Sequence, residues 1–168
     1  MAAPERIAGS DAPAPPAPPA CWTVHCDGTA QPNPGRMGLG AVLVAPDGTR
    51  HMLSQDTHRT GCNNEAELRA LQAALRMLRA HGAVDIDVRS DSSILVAQMN
   101  DPAAAPIRRL APLYDEARAL WASFGAARLR WIPRHRNGEA DALARAALGM
   151  APKPPAAPGG GRGKKKRR

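Results

Sequence analysis

Cys21-Trp22-Thr23-Val24-His25-Cys26-Asp27 decides how this chain folds. Trp22, Val24 and Cys26 alternate with Thr23, His25 and Asp27, the period of a strand with one apolar face. Downstream, Gly28–Gly38 carries Pro32, Asn33, Pro34 and Gly35 and reads as a loop. Leu39–Ala45 is an apolar strand, Pro46-Asp47-Gly48 a hairpin turn, and Arg50–Thr57 a third strand running back. Asn64–His81 places Leu68, Leu71, Leu75 and Leu78 on one helical stripe, and Gly82 stops it. Asp85–Ser90 is a fourth strand and Ser92–Asn100 a short helix. Pro106–Phe124 is a longer helix with Pro106 in its first turn. Ala127–Ile132 is the fifth strand, and Asn137–Leu148 is the last helix. Hairpin-linked strands come first and helix-linked crossovers follow. That order predicts an α/β domain: a five-stranded mixed sheet flanked by helices.

The flanks differ in kind from this core. Residues 1–20 are mostly Ala and Pro and predict a disordered arm. Residues 150–168 pass from Pro and Ala through Gly159–Gly161 to the cluster Lys164–Arg168, a flexible basic tail. The formal net charge is +8, but every Lys lies at or after Lys153. Residues 21–149 hold 15 Arg against 13 Asp and Glu, a net of about +2. The charge excess therefore belongs to the tail, which predicts weak, salt-sensitive attraction to phosphate there. Three cysteines (Cys21, Cys26 and Cys62) form no metal-type pairing and read as free thiols of a reducing, cytoplasmic compartment. The N-terminal stretch lacks a signal-peptide pattern, and no apolar run is long enough to span a membrane.

Four acids stand out by position. Asp27 is placed at the end of the first strand and Asp91 at the end of the fourth. Sites in open α/β sheets gather beyond the carboxyl ends of strands. The long helix offers Glu65 and Glu67. Glu67 is followed by Leu71, Ala74 and Leu78 at i+4, i+7 and i+11, so it borders the stripe that packs on the sheet. Glu65 is followed by Arg69, Gln72 and Arg76 and is expected to face water. An inward carboxylate is costly unless its charge is compensated, and a metal ion would do that. Asp141, followed by Ala144 and Leu148, borders the packing face of the last helix, whereas Glu139 points elsewhere. Taken singly, each acid reads as a cap or a surface charge. Together their placements are mutually compatible, and hard oxygen donors of this kind suit Mg²⁺. Two such ions about 4 Å apart can activate water and stabilise a leaving oxygen.

In their order, the segments Asp27-Gly28-Thr29, Asn33-Pro34-Gly35, Gly38-Leu39-Gly40-Ala41-Val42 and Asn63-Asn64-Glu65-Ala66-Glu67-Leu68 resemble the type 1 ribonuclease H family. So do Ser90-Asp91-Ser92, Trp131-Ile132-Pro133-Arg134 and Asn137 with Ala140-Asp141-Ala142-Leu143-Ala144. The likeness covers roughly residues 21–149. It implies a ribonuclease H-like fold and endonucleolytic hydrolysis of the RNA strand of RNA–DNA hybrids with two Mg²⁺ ions, Mn²⁺ being a possible substitute. It implies Asp27, Glu67, Asp91 and Asp141 as catalytic metal ligands, and Gly28, Asn33, Asn63, Asn64 and Arg134 as substrate-binding residues. The expected partner is the hybrid, bound by a monomer, with no membrane involved.

Three departures mark a short form of the family. The loop His found in many members ten residues before the last Asp is Trp131 here, leaving His135 as a possible auxiliary at a different spacing. The Thr that often precedes the paired Asn is Cys62. The Lys- and aromatic-rich protrusion is replaced by the short link Asn100–Pro106, so the basic tail is a candidate substitute for its grip. Two alternatives share the fold: a catalytically silent hybrid- or RNA-binding domain, and a two-metal nuclease acting on double-stranded RNA.

Overall fold

The computed structural model describes residues 20–154. The predicted arm, apart from Ala20, and the cluster Lys164–Arg168 lie outside the described residues. The strands are β1 (Cys21–Gln31), β2 (Gly35–Val44), β3 (Arg50–Gly61), β4 (Asp85–Ser90) and β5 (Ala127–Trp131). The helices are α1 (Asn63–Ala80), α2 (Ser93–Asn100), α3 (Ala111–Ala122) and α4 (Gly138–Ala147). Short 3₁₀ turns span Arg108–Leu110 and Arg134–Arg136. The sheet runs β3-β2-β1-β4-β5. β1 pairs antiparallel with β2, and β2 with β3, while β1–β4 and β4–β5 are parallel. The expected five-stranded mixed sheet is what forms.

Alternation on β1 divides the sheet into two faces. Trp22, Val24 and Cys26 join Leu39, Ala41 and Leu43 in a core with Leu68, Leu71, Leu75 and Leu78 of α1 and Tyr114 and Ala117 of α3. Residues of the opposite parity turn to α4, where Ala140 and Ala144 are fully buried. Two glycines set how close the helices come. A Cβ on Gly28 would lie 2.2 Å from the Ala66 carbonyl carbon of α1, and one on Gly40 would lie 2.2 Å from the Ala140 oxygen of α4. With no side chain at either place, both helices rest directly on strand backbone.

Several boundaries differ from the sequence reading. The expected loop Gly28–Gly38 is mostly strand: β1 continues to Gln31, and Asp27, Gly28 and Thr29 pair with Gly40, Leu39 and Gly38. Only the residues around Pro32-Asn33-Pro34 turn, because proline withholds the N–H a ladder needs. β3 extends beyond Thr57 to Gly61. Pro106 does not open α3. The helix starts at Ala111 with Pro112 in its first turn, after the 3₁₀ turn Arg108–Leu110. Asn137 caps α4 rather than joining it.

Candidate active site

The parallel ladder between β1 and β4 ends at His25 and Arg89. β1 runs on past it, so Asp27 does not end its strand as expected. It lies in mid-strand, where the neighbour on one side has stopped. The sheet opens there, and side chains from both faces can meet. Asp27 shares the α4 side with its register partner Gly40. Glu67 comes from α1 on the other side, Asp91 follows β4, and Asp141 sits in the first turn of α4.

The charges of these acids are felt across the gap. Asp27 is 7% exposed. Burial, then the Asp91, Asp141 and Glu67 carboxylates, push it up to about 8, and a hydrogen bond with the Asp141 carboxyl adds to the rise. Burial also raises Glu67, with Asp91 adding to it, against a hydrogen bond from the Ser92 hydroxyl and the nearby Arg134. Ser92 performs two tasks, since its oxygen also accepts the Leu95 N–H to cap α2 at 3.1 Å.

The chain's own cations lie on the other two acids. Arg134 Nε is 3.4 Å from Asp91 Oδ2, and Lys153 Nζ is 3.5 Å from Asp141 Oδ1. Asn137 Nδ2 donates to Asp91 Oδ1 at 2.9 Å and to the Cys26 carbonyl at 3.0 Å. One buried amide thus ties Asp91 to β1 beside Asp27. Its own Oδ1 is buried without a partner.

The site fits a hard divalent ion by its donors. Four carboxylates and an orphaned amide oxygen offer oxygen only. Among the described residues, no three His, Cys, Asp or Glu side chains are drawn together tightly enough to hold a metal ion by themselves. Mg²⁺ does not demand such a cage. It retains several waters and binds through one or two carboxylates plus substrate phosphate.

The expected substrate residues divide into two groups. Asn33 Oδ1 accepts the Asn63 N–H at 3.1 Å, and Asn63 Oδ1 accepts the Ala30 N–H at 2.8 Å. These bonds tie the β1–β2 turn to the start of α1 and use the amide oxygens, leaving the NH₂ groups as donors. Asn64 follows in the same first turn of α1 and is half-buried. Gly28, in contrast, is buried against α1, so its structural part is the close approach already described. Arg134 and His135 are exposed in the 3₁₀ turn. His135 shares a cleft of about 630 Å³ with Asp141 and Lys153, while the cationic and amide side-chain partners of Asp91 and Asp141 are Arg134, Asn137 and Lys153.

Glu65 departs from expectation. Its side chain is 15% exposed, pairs with Arg69 at 3.0 Å, and lies under the end of β3 at Gly61. It is covered because β3 is longer than its alternation suggested. It still points away from the acid group, as its helical phase requires.

Asn137 and Lys153 escaped the sequence reading. Asn137 was visible as part of a motif, but its bond to Asp91 is not encoded in any spacing. Lys153 falls in the segment 150–168 that reads as a flexible basic tail. Arg145 Nε donates to the Ala151 carbonyl at 2.8 Å, turning that segment back toward α4.

An acid group at a sheet opening, built from β1, α1, β4 and α4, defines a ribonuclease H-like domain. Residues 25–147 match the reverse transcriptase-like family. The chain belongs to that family and has the fold of its type 1 ribonuclease H members. It is 35% identical over 130 residues to a bifunctional protein of Mycobacterium tuberculosis, covering 76% of this chain and 35% of that protein. It is 37% identical over 130 residues to ribonuclease HI of Halobacterium salinarum, covering 74% of this chain and 62% of that protein. The solved structure of the Halobacterium RNase H1 aligns with a TM-score of 0.72 at 32% identity, over 77% of this chain and 98% of that one. LC11-RNase H1, solved in complex with an RNA/DNA hybrid, aligns with a TM-score of 0.70 at 29% identity, over 76% and 96%. The chain spans about a third of the length of the mycobacterial relatives it matches.

Proposed function

We propose that this domain hydrolyses the RNA strand of RNA–DNA hybrids, using divalent metal ions held by Asp27, Glu67, Asp91 and Asp141. The observation that carries the reading is the convergence of four acids, carried by β1, α1, the end of β4 and α4, at the opening of the sheet. Burial first, and then the carboxylates of Asp91, Asp141 and Glu67, push the Asp27 carboxyl up to about 8. Such an arrangement weakens a fold unless a cation uses it. Two Mg²⁺ ions, or Mn²⁺ in their place, would supply activation of the attacking water and stabilisation of the leaving oxygen. The similarity to ribonuclease HI and to a hybrid-bound RNase H1 supports the substrate class.

The protein's own residues do the rest. Asn137 fixes Asp91 relative to β1, so the acids keep their spacing as substrate arrives. The free NH₂ groups of Asn33 and Asn63, with Asn64, face substrate as donors to sugar hydroxyls and base acceptors. The 2′-hydroxyl is the group by which such donors tell RNA from DNA. Arg134 lies close enough to exchange its Asp91 contact for a phosphate oxygen.

The test is direct. End-labelled RNA–DNA hybrid, double-stranded RNA and double-stranded DNA are incubated with wild-type protein and with Asp91→Asn, in Mg²⁺ or in chelator. Cutting of the RNA strand of the hybrid by wild type alone, and only with metal, is the expected result. Binding without cutting would point to a silent hybrid-binding domain. Preferential cutting of double-stranded RNA would move the substrate class.

A further inference from the structure

The chain has five aromatic residues. Trp22, Tyr114 and Phe124 are buried, and Trp121 packs against the core. Trp131 alone among them stands out in solvent, 54% exposed. Its place is specific. It ends β5 in register with Ser90, the residue before Asp91, and its indole N–H donates to the Asp91 carbonyl at 3.3 Å. On its far side the Ile132 N–H donates to the Ser90 carbonyl at 2.9 Å. β5 is also held from α2, where Asn100 Nδ2 donates to the Leu129 carbonyl at 2.8 Å. The ring is thus a large apolar face, fixed in direction, at the rim of the acid group, three residues before the exposed Arg134.

Burial does not explain such a residue. A Trp this exposed contributes little to the core, and its backbone would sit in the β4–β5 ladder with any strand-forming side chain. What a fixed, exposed indole offers is a π-face already ordered before a ligand arrives. Nucleotides recognise such a face regardless of sequence, and pre-ordering spares the entropy of arresting a mobile side chain.

Resting on the nuclease reading, we infer that Trp131 is a substrate-binding residue that stacks against the sugar and base of the nucleotide flanking the scissile phosphate. In this role it supplies the aromatic grip that the short Asn100–Pro106 link does not carry. Arg134 stands beside it for the adjoining phosphate, so the rim pairs a stacking surface with a cation.

Two substitutions separate stacking from the indole hydrogen bond. Trp131→Phe keeps a ring face and loses the N–H. Trp131→Gln keeps an N–H donor and loses the ring. Full-length proteins are titrated with a fluorescein-labelled hybrid in chelator, so that binding is read by anisotropy without cleavage, and melting temperatures are taken alongside. The expectation is a Kd for Trp131→Gln weaker by on the order of tenfold, with Trp131→Phe within about threefold of wild type and all three proteins equally folded. Unlabelled hybrid should quench the tryptophan emission of wild type and leave that of Trp131→Phe largely unchanged. If Trp131→Phe binds as weakly as Trp131→Gln or more weakly, a ring face does not by itself confer binding and stacking is overturned. Equal affinity in all three overturns it as well while leaving the nuclease reading intact. Wild type that binds no hybrid in chelator overturns the stacking role, and wild type that in addition cuts none with Mg²⁺ defeats the nuclease reading as well.

Discussion

Lys153 Nζ lies 3.5 Å from Asp141 Oδ1, with the ammonium half exposed and the carboxylate largely covered. A metal ion arriving at Asp141 therefore meets a resident cation. Removing that cation should help the metal and harm nothing in the fold. An ion pair this exposed is worth at most about 1 kcal/mol. Lys153→Ala should accordingly tighten Mn²⁺ binding about two- to fivefold in calorimetric titration of the nucleic-acid-free protein. Arg145→Ala, which releases the Ala151 carbonyl that turns the segment back, should move the metal affinity in the same direction by less. Unchanged affinity in Lys153→Ala would mean that the lysine leaves Asp141 freely in solution.

Much of this site can be read from sequence, for a physical reason. The phase of Glu67 on the Leu71–Ala74–Leu78 stripe is local information, and the helical period alone separates Glu67 from Glu65. The placement of Asp91 after a strand that alternates Ile86 and Val88 with polar residues is equally local. What could not be read depends on partners distant in sequence. β1 looks finished at Asp27 because Gly28 and the following prolines break the alternation. Pairing with β2 carries it on to Gln31. The start of α3 is ambiguous because Pro106 and Pro112 both suit a first turn, and the intervening 3₁₀ turn selects the second. The burial of Glu65 follows from the length of β3, and the position of Lys153 from a contact between Arg145 and Ala151.

The raised carboxyl of Asp27 makes stability depend on pH in a direction opposite to that of a salt-bridged acid. Its folded value, about 8, stands above its ordinary value of 3.8. Between those pH values the folded chain holds a proton that the unfolded chain has released. The stabilisation is thus complete below about pH 4 and is lost as pH rises through about 8. Urea denaturation in chelator should show this group working against stability from pH 4 to 8, by up to about 1.4 kcal/mol per pH unit for one proton. Asp27→Asn, which cannot ionise, should flatten that slope. Saturating Mg²⁺ should do so as well, since a bound cation favours the charged form. A slope identical in wild type and Asp27→Asn would assign the pH dependence to other groups.

Asn137 is 2% exposed and donates twice, to Asp91 Oδ1 and to the Cys26 carbonyl. Asn137→Ala leaves two acceptors without their donor and removes the link that fixes Asp91. A loss of about 1–3 kcal/mol in stability is expected. Hybrid cleavage should fall further than stability alone explains, measured at a temperature where both proteins are fully folded. Asn137→Asp retains the shape but adds a fifth negative charge to the group, so it should be the worse of the two at neutral pH without metal. If both variants cut hybrid at the wild-type rate, Asp91 holds its place without Asn137.

Gly28 and Gly48 allow the packing of α1 to be tested apart from backbone preference. At Gly48 the backbone has φ +87°, and nothing lies within 4 Å of an added Cβ. Gly48→Ala meets only the left-handed backbone cost, about 1–2 kcal/mol, in a hairpin turn remote from the acids. At Gly28 an added methyl would fall 2.2 Å from the Ala66 carbonyl carbon and 2.5 Å from the Glu67 nitrogen. No side chain can move aside there, because both neighbours are helix backbone, so α1 itself must shift away from β1. The shift carries Glu67 with it. Gly28→Ala should therefore cost about 3 kcal/mol or more, and it should reduce metal affinity and hybrid cleavage together under conditions where the protein remains folded. Gly48→Ala should lower only the melting temperature. Equal activity in the two variants would show that the seating of α1 on Gly28 does not set the position of Glu67.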